Sequence, residues 1–113
     1  MLKKKLGINA IERSLCRYFK IPPTLIIPEG CVRIASWAFF GYSWLERVIV
    51  PKSVKFIGDE AFCDCHRLKK VVIPGSVESI GNWAFVRCDD LREVVISEGV
   101  KWIGSHVLVV VKS

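Results

Sequence analysis

The residues best equipped for chemistry in this 113-residue chain stand together at Cys63-Asp64-Cys65-His66. Two thiols, a carboxylate and an imidazole within four positions invite a metal site. Structural zinc, however, takes cysteine pairs with two to four residues between them together with a second ligand pair elsewhere, and Cys63-x-Cys65, with one residue between, departs from that spacing. His66 and His106 are the only histidines, and neither falls in a nucleophile–base–orienter pattern. The acid pairs Asp59-Glu60 and Asp89-Asp90 fall on expected exposed turns, and the glycines punctuate turns without forming a phosphate-cradling loop. These residues predict a non-enzymatic protein with no metal and no cofactor. Cys63 and Cys65 are expected to be buried free thiols, since free cysteine is among the most buried residue types. A Cys65–Cys88 disulfide between adjacent units is geometrically conceivable, but the odd count of five cysteines argues against it.

The elements that position these side chains come from an internal repeat of 23 residues. Pro28, Pro51 and Pro74 keep that step, with Ser97 in the next place. So do Ile34, Ile57, Ile80 and Ile103; Leu45, Leu68 and Leu91; Val48, Val71 and Val94; and the Ala-Phe pairs beginning at Ala38, Ala61 and Ala84. Gly58, Gly81 and Gly104 repeat, with Ala35 in the first copy. No gap is needed anywhere. A fixed period of this length is the signature of a solenoid, in which one unit cannot bury its apolar side and a stack of units can. Residues 6–28 read as a degenerate first repeat that caps the stack, although Pro22 sits where leucine belongs. A short amphipathic helix over residues 8–19 would do the same work. The domain reading is a basic capping segment over 1–24 and repeats over 25–113.

Within a unit, Leu68-x-x-Val71-x-Ile73-Pro74 is β-branched and alternating, which predicts a short strand that proline ends. Val77-x-x-Ile80-Gly81 predicts a second short strand closed by a glycine turn. Ser36, Asp59, Asn82 and Ser105 share the next slot, and all are good helix N-caps, so the Ala-Phe segment after them is expected to make one short helical turn. The fold class is therefore a repeat solenoid, mostly β with short helical turns, of about four to five coils.

The segments VIVPKSVKFIGDEAFCDCHRLKKV and VVIPGSVESIGNWAFVRCDDLREV carry a specific pattern, IP-x-SV-x-x-IG-x-x-AF-x-x-C-x-x-L. The pattern resembles the BspA-like (Treponema-type) leucine-rich repeats, over roughly residues 25–113. The resemblance implies a curved solenoid with short strands on two faces. It also implies a binding module, because members include bacterial surface adhesins.

Repeats permit an inference about exposure. A slot that is polar in some copies faces solvent, so an aromatic in the same slot is expected there too. One slot reads Arg33, Phe56, Ser79, Trp102 and another reads Trp37, Glu60, Trp83, His106. If the two columns are neighbours, Trp37, Phe56, Trp83 and Trp102 form a staggered aromatic stripe, and Trp44 adds a further ring in a slot otherwise polar. Exposed tryptophan with arginine nearby is the composition of interface hot spots. The strand face offers a second surface, with outward columns Thr24, Arg47, Lys70, Glu93 and Ile26, Ile49, Val72, Val95. Of these, Arg47, Ile49, Lys70 and Val72 are the expected contacts with a protein partner.

The net charge of +6 belongs to one end. Residues 1–20 hold Lys3, Lys4, Lys5, Arg13, Arg17 and Lys20 against Glu12, a net +5, and the other eleven basic and ten acidic groups leave +1. Lys3, Lys4, Lys5, Arg13 and Arg17 give an alternative function, binding of nucleic acid or an anionic surface. The strand-face column reverses sign at Glu93, unlike the basic stripe of nucleic-acid readers. No apolar run approaches the roughly 20 residues of a membrane span. The start lacks the apolar stretch of an export signal, so the chain as written reads as cytoplasmic, with the cell surface as the alternative for a fragment of a longer protein. The valine-rich stretch Val107–Val111 is expected to self-associate or to lie under a partner. The predicted function is protein–protein interaction, as a binder, adaptor, inhibitor or adhesin-like module.

Overall fold

The computed structural model describes residues 10–16 and 20–107. Each 23-residue unit makes one coil, and its strands pair in parallel with the same strands of the next coil. One sheet contains β1 (Ala10–Ile11), β3 (Arg33–Ile34), β5 (Phe56–Ile57), β7 (Ser79–Ile80) and β9 (Trp102–Ile103), in that order. The other contains β2 (Thr24–Ile26), β4 (Arg47–Ile49), β6 (Lys70–Ile73) and β8 (Glu93–Ile96). The register is the sequence period itself: Arg33 lies opposite Phe56, and Val48 opposite Val71. The chain is a flattened body of 40 × 29 × 18 Å.

The β-branched slots build the interior. Leu25, Val48 and Val71 point inward from one sheet, and Ile11, Ile34, Ile57 and Ile80 from the other. Between them Phe39, Phe62 and Phe85 form a stacked column, with centroids 5.3 and 5.5 Å apart and planes within 12°. That spacing slightly exceeds the ~4.8 Å between neighbouring strands, so the rings repeat at the coil step. No polar or charged side chain is buried among the described residues.

The first described coil keeps the step of the others. β1 pairs with β3 in the 23-residue register, and a single helical turn, α1 (Arg13–Cys16), follows it. Pro22 stands exposed in the leucine slot, and Ile21 is buried in its stead.

Two local expectations are corrected. The Ala-Phe segments are not helical: α1 is the one α-helical turn among the described residues. Their amides bond between coils, Trp37 N–H to the Asp59 carbonyl at 3.0 Å and Phe39 N–H to that of Ala61 at 2.8 Å. Donors spent across the stack cannot close i→i−4 turns. The supposed N-caps accordingly cap the ladder. Asp59 Oδ1 accepts the Asn82 backbone N–H at 2.8 Å, and Asn82 Oδ1 accepts that of Ser105 at 2.9 Å. The glycine column is required by proximity, not by a turn. Gly58 and Gly81 have ordinary φ, and a Cβ on Gly58 would come within 2.5 Å of the Ser36 backbone nitrogen in the coil before.

Candidate functional site

The fold leaves two surfaces with more apolar area than stability explains. The first is the outer face of the sheet β2–β4–β6–β8. Parallel register brings Ile26, Ile49, Val72 and Val95 into one column, exposed by 61, 53, 44 and 38%. Four β-branched side chains pointing into water on adjacent strands make a continuous apolar ridge. The column beside it is Thr24, Arg47, Lys70 and Glu93, in which Lys70 and Glu93 pair at 3.6 Å. Arg47 makes no ion pair or side-chain hydrogen bond among the described residues. This face brings together Arg47, Ile49, Lys70 and Val72 as the repeat implies.

The second surface is the turn side. Two slots there adopt the left-handed backbone in successive coils. One holds Gly41, Asp64 and Arg87, with φ of 79, 63 and 63°. Glycine and aspartate are ordinary occupants of that conformation. The other holds Trp37, Glu60, Trp83 and His106, with φ of 63, 53, 63 and 55°. A left-handed bulky residue is an outlier that costs roughly 1–2 kcal/mol relative to glycine. Trp37 and Trp83 nevertheless remain 54 and 44% exposed, so neither recovers that cost by full burial. No glycine or asparagine marks this slot, so sequence reasoning could not find its conformation. Gly41 and Asp64 were a readable hint for the other.

The four aromatics divide into two pairs. Phe56 and Trp102 project from β5 and β9 on either side of Ser79, above a groove of about 620 Å³ that also touches Arg33 and Asp59. Trp37 lines a separate cavity of about 420 Å³ with Arg13, Phe40 and Glu60. Neither cavity is lined by members of both pairs. Trp44 stacks on Tyr42 at 4.9 Å and donates its indole N–H to the Ile21 carbonyl at 2.7 Å, which ties it to the first coil.

Arg13 is engaged by its own chain. Its Nη1 donates to the carbonyls of Phe40 at 2.7 Å and Trp37 at 3.2 Å, and the guanidinium lies 5.8 Å from the Phe40 and Tyr42 ring centroids. This arrangement caps the stack and leaves a phosphate less of the group to meet. Lys3, Lys4, Lys5 and Arg17 lie outside the described residues, as do residues 108–111 of the valine-rich stretch. Val107 is buried, and its carbonyl accepts the Phe85 N–H.

The Cys-Asp-Cys-His run serves the stack. Cys65 donates its thiol to the Phe39 carbonyl at 3.2 Å, and Cys88 repeats the bond to Phe62 at 3.1 Å. Asp64 pairs with Arg87 at 2.7 Å and His66 with Asp89 at 2.9 Å, each one coil apart. All five cysteines are free and buried. Burial pushes the Cys88 thiol up to about 12 and that of Cys63 to about 11, and raises Cys65 further. Such thiols are poor nucleophiles at neutral pH. Among the described residues no group of three or more potential metal ligands converges.

Parallel two-sheet coils of 23 residues with this inward pattern define a leucine-rich-repeat solenoid. The family model of the BspA type leucine-rich repeat region (6 copies) matches residues 9–110, and the chain belongs to that family. No curated protein matches it. Two solved structures are similar. One is the pneumococcal vaccine antigen PcpA, at 23% identity and a TM-score of 0.64 over 82% of this chain and 29% of that one. The other is a leucine-rich cell surface protein from Faecalibacterium prausnitzii A2-165, at 26% identity and a TM-score of 0.57 over 89% and 34%. The chain thus spans about a third of the length of these relatives. No helix among the described residues is long and apolar enough to cross a membrane.

Proposed function

We propose that the chain is a non-enzymatic protein-binding module that engages its partner through the outer face of β2–β4–β6–β8. The observation that carries this reading is the exposed ridge Ile26–Ile49–Val72–Val95, flanked by Arg47 and Lys70. Its apolar centre with a charged edge has the anatomy of a protein interface rather than of a nucleic-acid one. Trp37, Trp83, Phe56 and Trp102 offer further contacts on the other sides. The similarity to a leucine-rich cell surface protein supports a place at the cell surface over the cytoplasm, and an adhesin-like role.

The test compares proteins captured by the wild-type chain with those captured by an Ile49→Glu/Val72→Glu variant and by a Trp37→Asn/Trp83→Asn variant. Both sets of positions are exposed, so the fold should survive, and circular dichroism checks that it does. The expected result is loss of capture with the glutamates. Equal capture by wild type and glutamate variant would refute the reading.

A second reading is favoured by one observation. Ile96 and Ile103 occupy inward slots that earlier coils bury, yet they are 37 and 47% exposed. Inward slots left open in this way suit self-association, which light scattering across a concentration series would reveal as mass growth insensitive to salt.

A further inference from the structure

The left-handed turn column is a ladder of rings with one rung missing. Its four positions follow the coil step, because Trp37, Glu60 and Trp83 each donate their backbone N–H to the next coil at 2.9–3.0 Å. Trp83 stacks on His106 with centroids 4.9 Å apart and planes 30° from parallel. One indole face of Trp83 is thus directed toward His106, and the next position of the column in the other direction is Glu60. On that rung there is a carboxylate in place of a ring. Beyond it stands Trp37, which shares a cavity of about 420 Å³ with Glu60 and Phe40. Glu60 makes no ion pair and no side-chain hydrogen bond among the described residues.

We propose that this rung receives an arginine side chain of a protein partner, its guanidinium held between Trp37 and Trp83 and forked onto the Glu60 carboxylate. Two rungs separate the indoles, so a planar group midway lies about 5 Å from each, inside the ~6 Å reach of a cation–π contact. Guanidinium is flat, stacks on aromatic faces and presents paired N–H donors to a carboxylate, whereas an ammonium offers only a point charge. The molecule already uses this mode once, with Arg13 lying over Phe40 and Tyr42 on the same side. Arg13 also lines the cavity, but its Nη1 is spent on the Trp37 and Phe40 carbonyls and it makes no ion pair with Glu60. Left-handed backbone, shared by all four positions of the column, keeps the two indoles two coil steps apart.

The inference rests on the reading of Trp37 and Trp83 as partner-contacting residues, and the probe separates its failure from that of the reading. Three blocked pentapeptides, with arginine, lysine or citrulline at the centre of otherwise glycine sequence, are titrated while the indole N–H resonances of Trp37 and Trp83 are followed. Citrulline keeps the planar shape and removes the charge. The expected result is saturable shifts of both indoles with arginine, at least three-fold weaker binding of lysine and at least ten-fold weaker binding of citrulline. Glu60→Gln should weaken arginine about ten-fold, and Trp83→Asn, which suits left-handed backbone, should abolish saturation while the fold is kept. Equal shifts from arginine and citrulline, or a titration unchanged in Glu60→Gln, would overturn the arginine assignment but leave the tryptophans as contacts. Silence of both indoles with all three peptides would overturn the site altogether.

Discussion

Asp59 Oδ1 accepts the backbone N–H of Asn82 at 2.8 Å, one coil further along, and Asn82 passes the same bond on to Ser105 at 2.9 Å. The slot thus works as a side-chain ladder parallel to the strand ladders. Replacing Asn82 with alanine orphans the Ser105 N–H. The site is exposed and water can substitute in part, so the expected loss is about 1 kcal/mol. Urea denaturation of the variant against wild type, with an unchanged slope, checks it.

The glycines should separate into two kinds. Gly81→Ala places a Cβ against the Gly58–Asp59 backbone, which cannot move without unstacking two coils. A loss of roughly 3 kcal/mol or more is expected, the upper range of overpacking. Gly41 has φ of 79° and nothing within 4 Å of a built Cβ. Gly41→Ala should cost only the left-handed strain, about 1–2 kcal/mol. Thermal melts of the two variants, ranked in the opposite order, would contradict the close-stacking account.

Cysteine ionisation gives a pH prediction. The folded thiols of Cys63 and Cys88 are raised from 9.0 to about 11 and about 12, chiefly by desolvation on burial. A group whose folded pKa is raised holds its proton longer in the native state. Its stabilisation is complete below the unfolded value of 9.0 and is lost as pH climbs toward 11–12. The urea midpoint should therefore fall from pH 9 upward, and fall less in Cys88→Ala measured against its own value at pH 8. Alkylation by iodoacetamide at pH 8 should be slow in the folded chain and rapid in urea.

Much of the fold is legible in the sequence. The 23-residue step fixed strand register, the inward column of isoleucines and the ridge Ile26–Ile49–Val72–Val95, because stacking turns sequence period directly into spatial neighbourhood. The turn side was not legible. Ser36, Asp59 and Asn82 carry helix-cap chemistry, and only the competition from the next coil's carbonyls diverts the amides of Trp37 and Phe39 away from a helix. Only His106 in the left-handed slot leans toward that backbone, and nothing in Trp37, Glu60 or Trp83 announces it. The role of Gly58 is hidden from the sequence for a related reason: its constraint comes from Ser36 in another coil, not from its own φ.

The central claim is that the ridge on β2–β4–β6–β8 is the partner-binding face. Hydroxyl-radical footprinting of the chain alone and with its captured partner reads side-chain exposure directly. The expected result is protection of Ile26, Ile49, Val72 and Val95 on binding, while Phe56 and Trp102 on the opposite sheet keep their reactivity. Unchanged oxidation of all four aliphatic residues in a saturated complex would contradict the account.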